Sequence, residues 1–366
     1  MDGDLIIVIV VAAALAFDFT NGFHDTANVV ATSISTHALS PRVAVTMAAI
    51  LNFAGAFISI EVAATVAKDV VQASAITPTV IFAGLIGAIS WNLITWYFGL
   101  PSSSSHALIG GVVGSAFAAA GASAVIGDGI LGKVLIPALI APIVAFLIGV
   151  LAINVAYGIC GRLRPGPASR GFRIGQVVSS AMLALAHGTN DAQKTMGIIT
   201  LALIANGTLS SESFEVPTWV IVSSASAIAL GTYTGGWRII RTMGTRIIKM
   251  DSAQGFSAQG AGAAVILASS HFGYPLSTTQ VIAGGVMGSG AGKRLSAVRW
   301  GVAGNLVVAW LVTLPAAAAI GAATYGFTSI FGTGALGPLL VSVMAAGLCL
   351  ALFAQRIRRE HTVAAA

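Results

Sequence analysis

Apolar segments of about 20 residues, the length a helix needs to cross the hydrocarbon core of a bilayer, recur from Leu5 to Phe353 with only short polar breaks between them. A chain built this way has lipid as its solvent. Of its 366 residues, 56% are hydrophobic and only 8% charged, against roughly 25% charged residues in soluble domains. No stretch between the apolar segments is long enough for a soluble domain of ordinary size. The first segment carries polar residues and lacks a small-residue cleavage site, so it is expected to be a span and not a signal peptide. Cys160 and Cys349 lie far apart, with no cysteine or histidine at metal-ligand spacing, and carry no redox information. The net charge of +6 comes from short loops and the tail, a pattern that sets membrane orientation and gives no reason to expect nucleic acid.

The densest basic loop holds Arg162, Arg164, Arg170 and Arg173, and the positive-inside bias places it in the cytoplasm. Arg238, Arg241, Arg246, Lys249 and the tail residues Arg356, Arg358 and Arg359 belong on the same side, while Glu212 and Glu215 mark an outer loop. Counting spans backward from the central loop puts Arg42 inside if residues 78 to 120 form a hairpin or an even number of crossings, and the N-terminus, with Asp2 and Asp4, then lies outside. Counting forward, residues 173 to 205 cross outward. The first spans of the two halves therefore run in opposite directions.

Internal similarity supports the same division. Gly99-Leu-Pro101-Ser-Ser103 recurs as Gly273-Tyr-Pro275-Leu-Ser277, and Gly110, Gly111, Val112, Gly114 and Ser115 recur in register as Gly284, Gly285, Val286, Gly288 and Ser289. The reading is an all-α polytopic membrane protein with two inverted-topology repeats. The first repeat takes residues 1–160, a cytoplasmic linker 161–172, the second repeat 173–330, and a last transmembrane helix with a basic cytoplasmic tail 331–366. Duplicated, inverted architectures of this kind are common among secondary transporters, whose sites lie near the midplane where the repeats meet.

Asn21, Asp25, Asn28 and Thr32 fall on one face of the first span, a stripe that cannot face lipid. His187, Asp191 and Lys194 repeat it in the second half, with Gly22 and Gly188 at the same offset. Ionisable groups at this depth cost roughly 2.5–3.5 kcal/mol each on insertion scales and usually mark an ion or substrate path. Asp25 and Asp191 offer hard oxygen ligands for a cation such as sodium. Asn21, Asn28, Asn190 and Gln193 are candidates to complete the shell, and Gly22 and Gly188 are expected to let the helices unwind and expose carbonyls. A purely structural role, in which the carboxylates pair with Lys194 or a histidine, is the competing reading. His24 and His187 fit interhelical donors as well as proton carriers.

Two serine- and threonine-rich segments, Pro101 to His106 and Pro275 to Gln280, sit between apolar segments with no charge nearby. Proline and hydroxyl residues favour a break followed by a helix N-terminus. Free N–H groups, the positive end of the dipole and neutral hydroxyls together form an anion site. Two such tips, from opposed halves, would surround a tetrahedral oxyanion as re-entrant helical hairpins. Lys194 stands ready either to neutralise Asp191 or to help hold the anion. Glu61 is placed inside the second span, without a role in the site, and Trp219 and Trp300 near span ends.

Taken together, Asn21-Gly-Phe-His-Asp25-Thr-Ala-Asn28, Ala186-His-Gly-Thr-Asn-Asp191-Ala-Gln-Lys194-Thr-Met-Gly197 and the two tips resemble the signature motifs of the inorganic phosphate transporters of the PiT type, over nearly the whole chain. The resemblance implies cation-coupled symport of phosphate across the plasma membrane by alternating access, no enzymatic activity, no cofactor beyond a coupling proton or sodium ion, and a homodimer. It assigns Asp25, Asn28, Asn190 and Asp191 to cations, and Ser103, Ser104, Ser105, Ser277, Thr278 and Thr279 to phosphate. Two residues depart from the family pattern: Gln280 stands where a histidine is usual, and Gln259 where many relatives have glutamate. The His24-Asp25 pairing resembles the proton-coupled bacterial members, some of which carry metal phosphate complexes. A carrier of another oxyanion such as sulfate, an anion channel and an enzyme acting on phosphorylated lipid are the rival readings; the last lacks a nucleophile–base pair or metal cluster in the sequence.

Overall fold

The computed structural model describes residues 2–160, 165–210, 214–332 and 334–347. Among them the chain is helical throughout, with a single isolated β-bridge between Val71 and Val125. The first half runs α1 (Asp2–Ser35), α2 (Pro41–Gly55), α3 (Glu61–Lys68), α4 (Pro78–Phe98), α5 (Ser104–Ala120), then α6 (Gly127–Gly129), which passes through a π-helical turn into α7 (Ile136–Cys160). The second half runs α8 (Pro165–Ala205), α9 (Thr218–Thr234), α10 (Trp237–Arg241), α11 (Ser252–His271), α12 (Thr278–Lys293) and α13 (Trp300–Ser329). A further apolar helix, α14, covers Leu336–Gly347. Arg162, Arg164, Glu212 and the basic tail lie outside the described residues.

Elements of one half pack on elements of the other. Helix α1 lies against α9 while α2 lies against α8, and α5 packs on α13 while α12 packs on α7. Each hairpin closes on itself, α4 on α5 and α11 on α12. Among the described residues four segments, Gly3–Ser35, Pro78–Phe98, Gly127–Cys160 and Trp300–Ser329, are long and apolar enough to cross a membrane. On α7, Leu139, Ile143, Leu147 and Leu151 form an exposed row at helical spacing, a surface that lipid would cover. Trp219 and Trp300 are half exposed at the starts of α9 and α13, where an interfacial anchor belongs.

Helix α8 begins at Pro165, so residues 165–172 of the expected linker are helical. Two details differ from the sequence reading. Glu61 does not continue the helix of the second span: α2 stops at Gly55, and Glu61 is an exposed residue that opens the separate helix α3, where a first-turn acid complements the helix dipole. Gly22 and Gly188 do not unwind their helices, which run unbroken through both. They serve packing instead. A side chain on Gly22 would run into the backbone of α9 at Ile228 and Thr232, and one on Gly188 into the backbone of Asn52 on α2. Close crossings of this kind are what small residues in membrane helices permit, and they bring the polar faces of α1 and α8 into the centre.

Candidate functional site

The two hairpin tips are built alike. Helix α4 ends at Gly99 in the left-handed conformation (φ 65°), and Gly273 adopts the same conformation after α11 (φ 71°), a region that glycine enters without steric cost. The turn bonds then repeat: Leu100 N–H donates to Thr95 O and Ser102 N–H to Leu100 O, as Tyr274 N–H donates to Ser269 O and Leu276 N–H to Tyr274 O. Ser103 and Ser277 cap the helices that follow, their hydroxyls accepting from the backbone N–H of His106 at 3.1 Å and Gln280 at 3.4 Å. These caps leave Ser104, Ser105, Thr278 and Thr279 on the first turns of α5 and α12. All lie within the protein, with exposures of about 1%.

Helices α1 and α8 bring their acids to these tips. Ser104 Oγ donates to Asp25 Oδ2 at 2.6 Å, and Thr278 Oγ1 lies 3.4 Å from both Asp25 Oδ2 and Asp191 Oδ2. Thr279 Oγ1 stands 3.4 Å from Asp25 Oδ1, and Asn28 Nδ2 donates to Thr279 Oγ1 at 2.9 Å and to Thr278 Oγ1 at 3.3 Å. Lys194 Nζ spends its three protons on Asp191 Oδ1 (2.6 Å), Ser105 Oγ (2.5 Å) and Leu276 O (2.8 Å). One ammonium thus ties an acid to both tips. His24 Nδ1 meets Asp25 Oδ1 at 2.6 Å, while its Nε2 lies 3.2 Å from Thr95 Oγ1 and 3.3 Å from Ser102 Oγ. His187 Nε2 stands 3.2 Å from Asp191 Oδ2, in ion-pair range though not aligned as a hydrogen bond, and its Nδ1 is 3.2 Å from Asn52 Oδ1. One ligand atom each from Asp25, His187 and Asp191 fall within 4.8 Å of one another.

Comparison with known proteins matches the phosphate transporter family over residues 21–164 and 162–321. The chain belongs to that family. It is 55% identical over 327 residues to a protein of Mycobacterium bovis named as a probable low-affinity inorganic phosphate transporter, covering 89% of this chain and 78% of the relative. A Bacillus subtilis protein of the same name is 45% identical over 323 residues, 88% of this chain and 96% of its own. The fold is that of a solved structure described as the sodium-dependent phosphate transporter, with a TM-score of 0.80 at 24% identity, covering 89% of this chain and 99% of the other. The relatives are named as transporters, a family that is not enzymatic, and this family member is a multi-pass membrane protein.

Most of the residues singled out in this family member's sequence converge, but not all. Asn190 donates to Ser270 Oγ at 2.9 Å and to Tyr274 O at 3.2 Å, which leaves its Oδ1 free toward the interior. Asn21 is 1% exposed with neither amide atom hydrogen-bonded. Gln193 points elsewhere: its Oε1 accepts from the N–H groups of Val62 and Ala63 at 2.8 and 3.3 Å, and its Nε2 donates to Thr189 O at 2.6 Å. It caps α3. Five residues not anticipated, Asn52, Thr95, Ser102, Ser270 and Asp18, are buried polar side chains of the same region or the helices around it. Polarity within apolar spans is the signal that could have found them.

The charges of this family member's site do not balance for an anion. Asp25 and Asp191 place two carboxyl groups beside the one amine of Lys194, and water is shut out, since none of the tip or stripe residues from Ser102 to His106, Ser277 to Gln280, or Asp25, Asp191 and Lys194 exceeds 5% exposure. A phosphate added to these would raise the uncompensated charge at low dielectric, where charges interact far more strongly than in water.

Proposed function

We propose that this chain carries inorganic phosphate across the plasma membrane together with cations, by alternating access of two inverted repeats around a site near the bilayer midplane. The observation that carries this reading is the meeting of two helix N-termini, one from each half, with Asp25 and Asp191 in a single cluster closed to solvent. The N-termini and hydroxyls suit a tetrahedral anion. The acids suit cations, and they oppose the anion unless cations accompany it. Ser104, Ser105, Thr278 and Thr279 would release the carboxylates and turn to phosphate oxygens, with Lys194 between; Ser103 and Ser277 would hold the helix ends that point at it. Asp25 and Asp191, with Asn21, Asn28 and Asn190, would receive the cations.

The names of the bacterial relatives support phosphate as the substrate, and the name of the fold neighbour supports a cation as its companion. A divalent metal phosphate would bring its own positive charge to the acids, which favours the metal-complexed form among the substrates to be tried. The charge pattern of the loops supports an outer N-terminus and a cytoplasmic C-terminus, and the homodimer implied by the family resemblance is open to cross-linking in membranes. Sealing on both sides is what an alternating-access carrier requires of one of its states, and it argues against an open anion channel.

Uptake of labelled phosphate into proteoliposomes tests the proposal. Accumulation above the external concentration, driven by a pH or sodium gradient and displaced by phosphate better than by sulfate, is expected. Mere equilibration would identify a channel, and stronger displacement by sulfate would change the substrate.

A further inference from the structure

Asp18 lies on α1 two turns before Asp25 and on the same face. It is fully buried, and neither carboxylate oxygen meets a hydrogen-bond partner among the described residues. Every other buried acid of this region is compensated: Asp25 by His24 and Ser104, Asp191 by Lys194 and His187. The ammonium of Lys194 feels Asp18 only at a distance, because its three protons are already committed. Thr195, whose hydroxyl also lacks a partner, faces Asp18 from α8, and Asn21 follows one turn later with both amide atoms free. The other ionisable groups packed around it are few. Helix α8 brings His187, Asp191 and Lys194, and α5 brings the buried His106; α4 and α9 carry no acid, lysine, arginine or histidine, and Arg42 on α2 and Arg238 and Arg241 on α10 stand at the surface.

An ionised carboxylate is untenable in such surroundings, whereas a neutral acid costs little and its O–H can donate to Thr195. The offset that carries Asp25 onto Asp191 carries Asp18 onto Ala184, which is equally buried, so an alanine satisfies the corresponding place in the other repeat. We infer that Asp18 is the residue that takes up and releases the coupling proton, gaining it when the path from one side opens and losing it when the site and its phosphate face the other. No bond to phosphate is involved: the proton moves from water to an Asp18 oxygen and back to water. This rests on the phosphate-carrier reading above, and adds to it the identity of the coupling ion and of a residue outside the Asp25–Asp191 cluster.

The test uses the full-length protein in proteoliposomes with three variants of state: native, Asp18→Asn and Asp18→Glu. Asparagine resembles the permanently protonated acid, so Asp18→Asn is expected to exchange phosphate for phosphate across the membrane while losing accumulation driven by a pH gradient. Asp18→Glu is expected to recover that accumulation. Gradient-driven accumulation by Asp18→Asn at the native level would overturn the inference, as would native accumulation that follows sodium and ignores pH. Infrared difference spectra between alkaline and acid pH give a second readout that survives loss of transport. A buried carboxylic-acid carbonyl band is expected in the native protein and at a shifted frequency in Asp18→Glu; absence of the band, or no shift, would overturn the assignment even where Asp18→Asn fails to fold. If the native protein moves no phosphate at all, the carrier reading fails, and the band still decides whether Asp18 titrates.

Discussion

Replacing Lys194 with methionine keeps most of the side-chain volume but deletes the ammonium that joins Asp191 Oδ1, Ser105 Oγ and Leu276 O at 2.5–2.8 Å. The two neutral contacts are worth little, since hydrogen bonds between membrane helices average about 0.6 kcal/mol each in double-mutant cycles. The ion pair decides the outcome, because removing one partner of a buried pair strands the other and costs about 3–5 kcal/mol. Asp191 would keep only His187 at 3.2 Å and Thr278 at 3.4 Å. Thermal unfolding of the purified protein in detergent should therefore show Lys194→Met strongly destabilised. Asp191→Asn alone, which leaves an uncompensated ammonium, should be destabilised comparably. The double variant should be about as stable as either single variant and not carry both losses, a coupling energy of about 3 kcal/mol, at the top of the range for contacting residues. Simple additivity of the two losses would show that the pair carries no mutual stabilisation, and would refute the reasoning.

Other substitutions separate the parts of the site. Ser104→Ala or Thr278→Ala should weaken phosphate binding about tenfold or more, the worth of one hydrogen bond to a charged group, with smaller loss of cation binding; equal losses in calorimetric titrations of both ligands would count against the tip assignment. Ser103→Ala and Ser277→Ala should each lower stability by about 1 kcal/mol, the value of an N-cap, with a smaller change in phosphate affinity than at Ser104. Gly188→Val should fail to yield a monodisperse protein on size-exclusion chromatography, because its side chain would enter the backbone of α2 at Asn52. Glu61→Gln should leave gradient-driven uptake unchanged, because Glu61 is at the surface at the start of α3.

The features legible in the sequence were those that local spacing determines. Asp25 and Asn28 share a face because a helix repeats every 3.6 residues, and the proline, hydroxyl and glycine frame of each tip specifies a turn and a helix start without tertiary information. What escaped depended on partners far away in the chain. Gln193 sits beside the stripe in sequence, but the N-terminus of α3 claims its amide. In the sequence Gly22 and Gly188 suggest points of unwinding, because glycine destabilises an isolated helix; only the crossings with α9 and α2 reveal that they permit close packing. Ser103 and Ser277 look like their neighbours until the capping bonds single them out. Asp18 shows the opposite failure: as an acid on the Asp25 face within an apolar span it was visible, but a second acid two turns away has no meaning until its lack of a partner is seen.

The most direct test of the central claim, that the two acids admit cations which in turn admit the anion, is labelled phosphate accumulation by Asp25→Asn and Asp191→Asn in proteoliposomes under an imposed pH or sodium gradient. The native protein should concentrate phosphate and both variants, folded as judged by thermal unfolding, should not. Accumulation by both variants at the native level would show that the carboxylates only hold helices together.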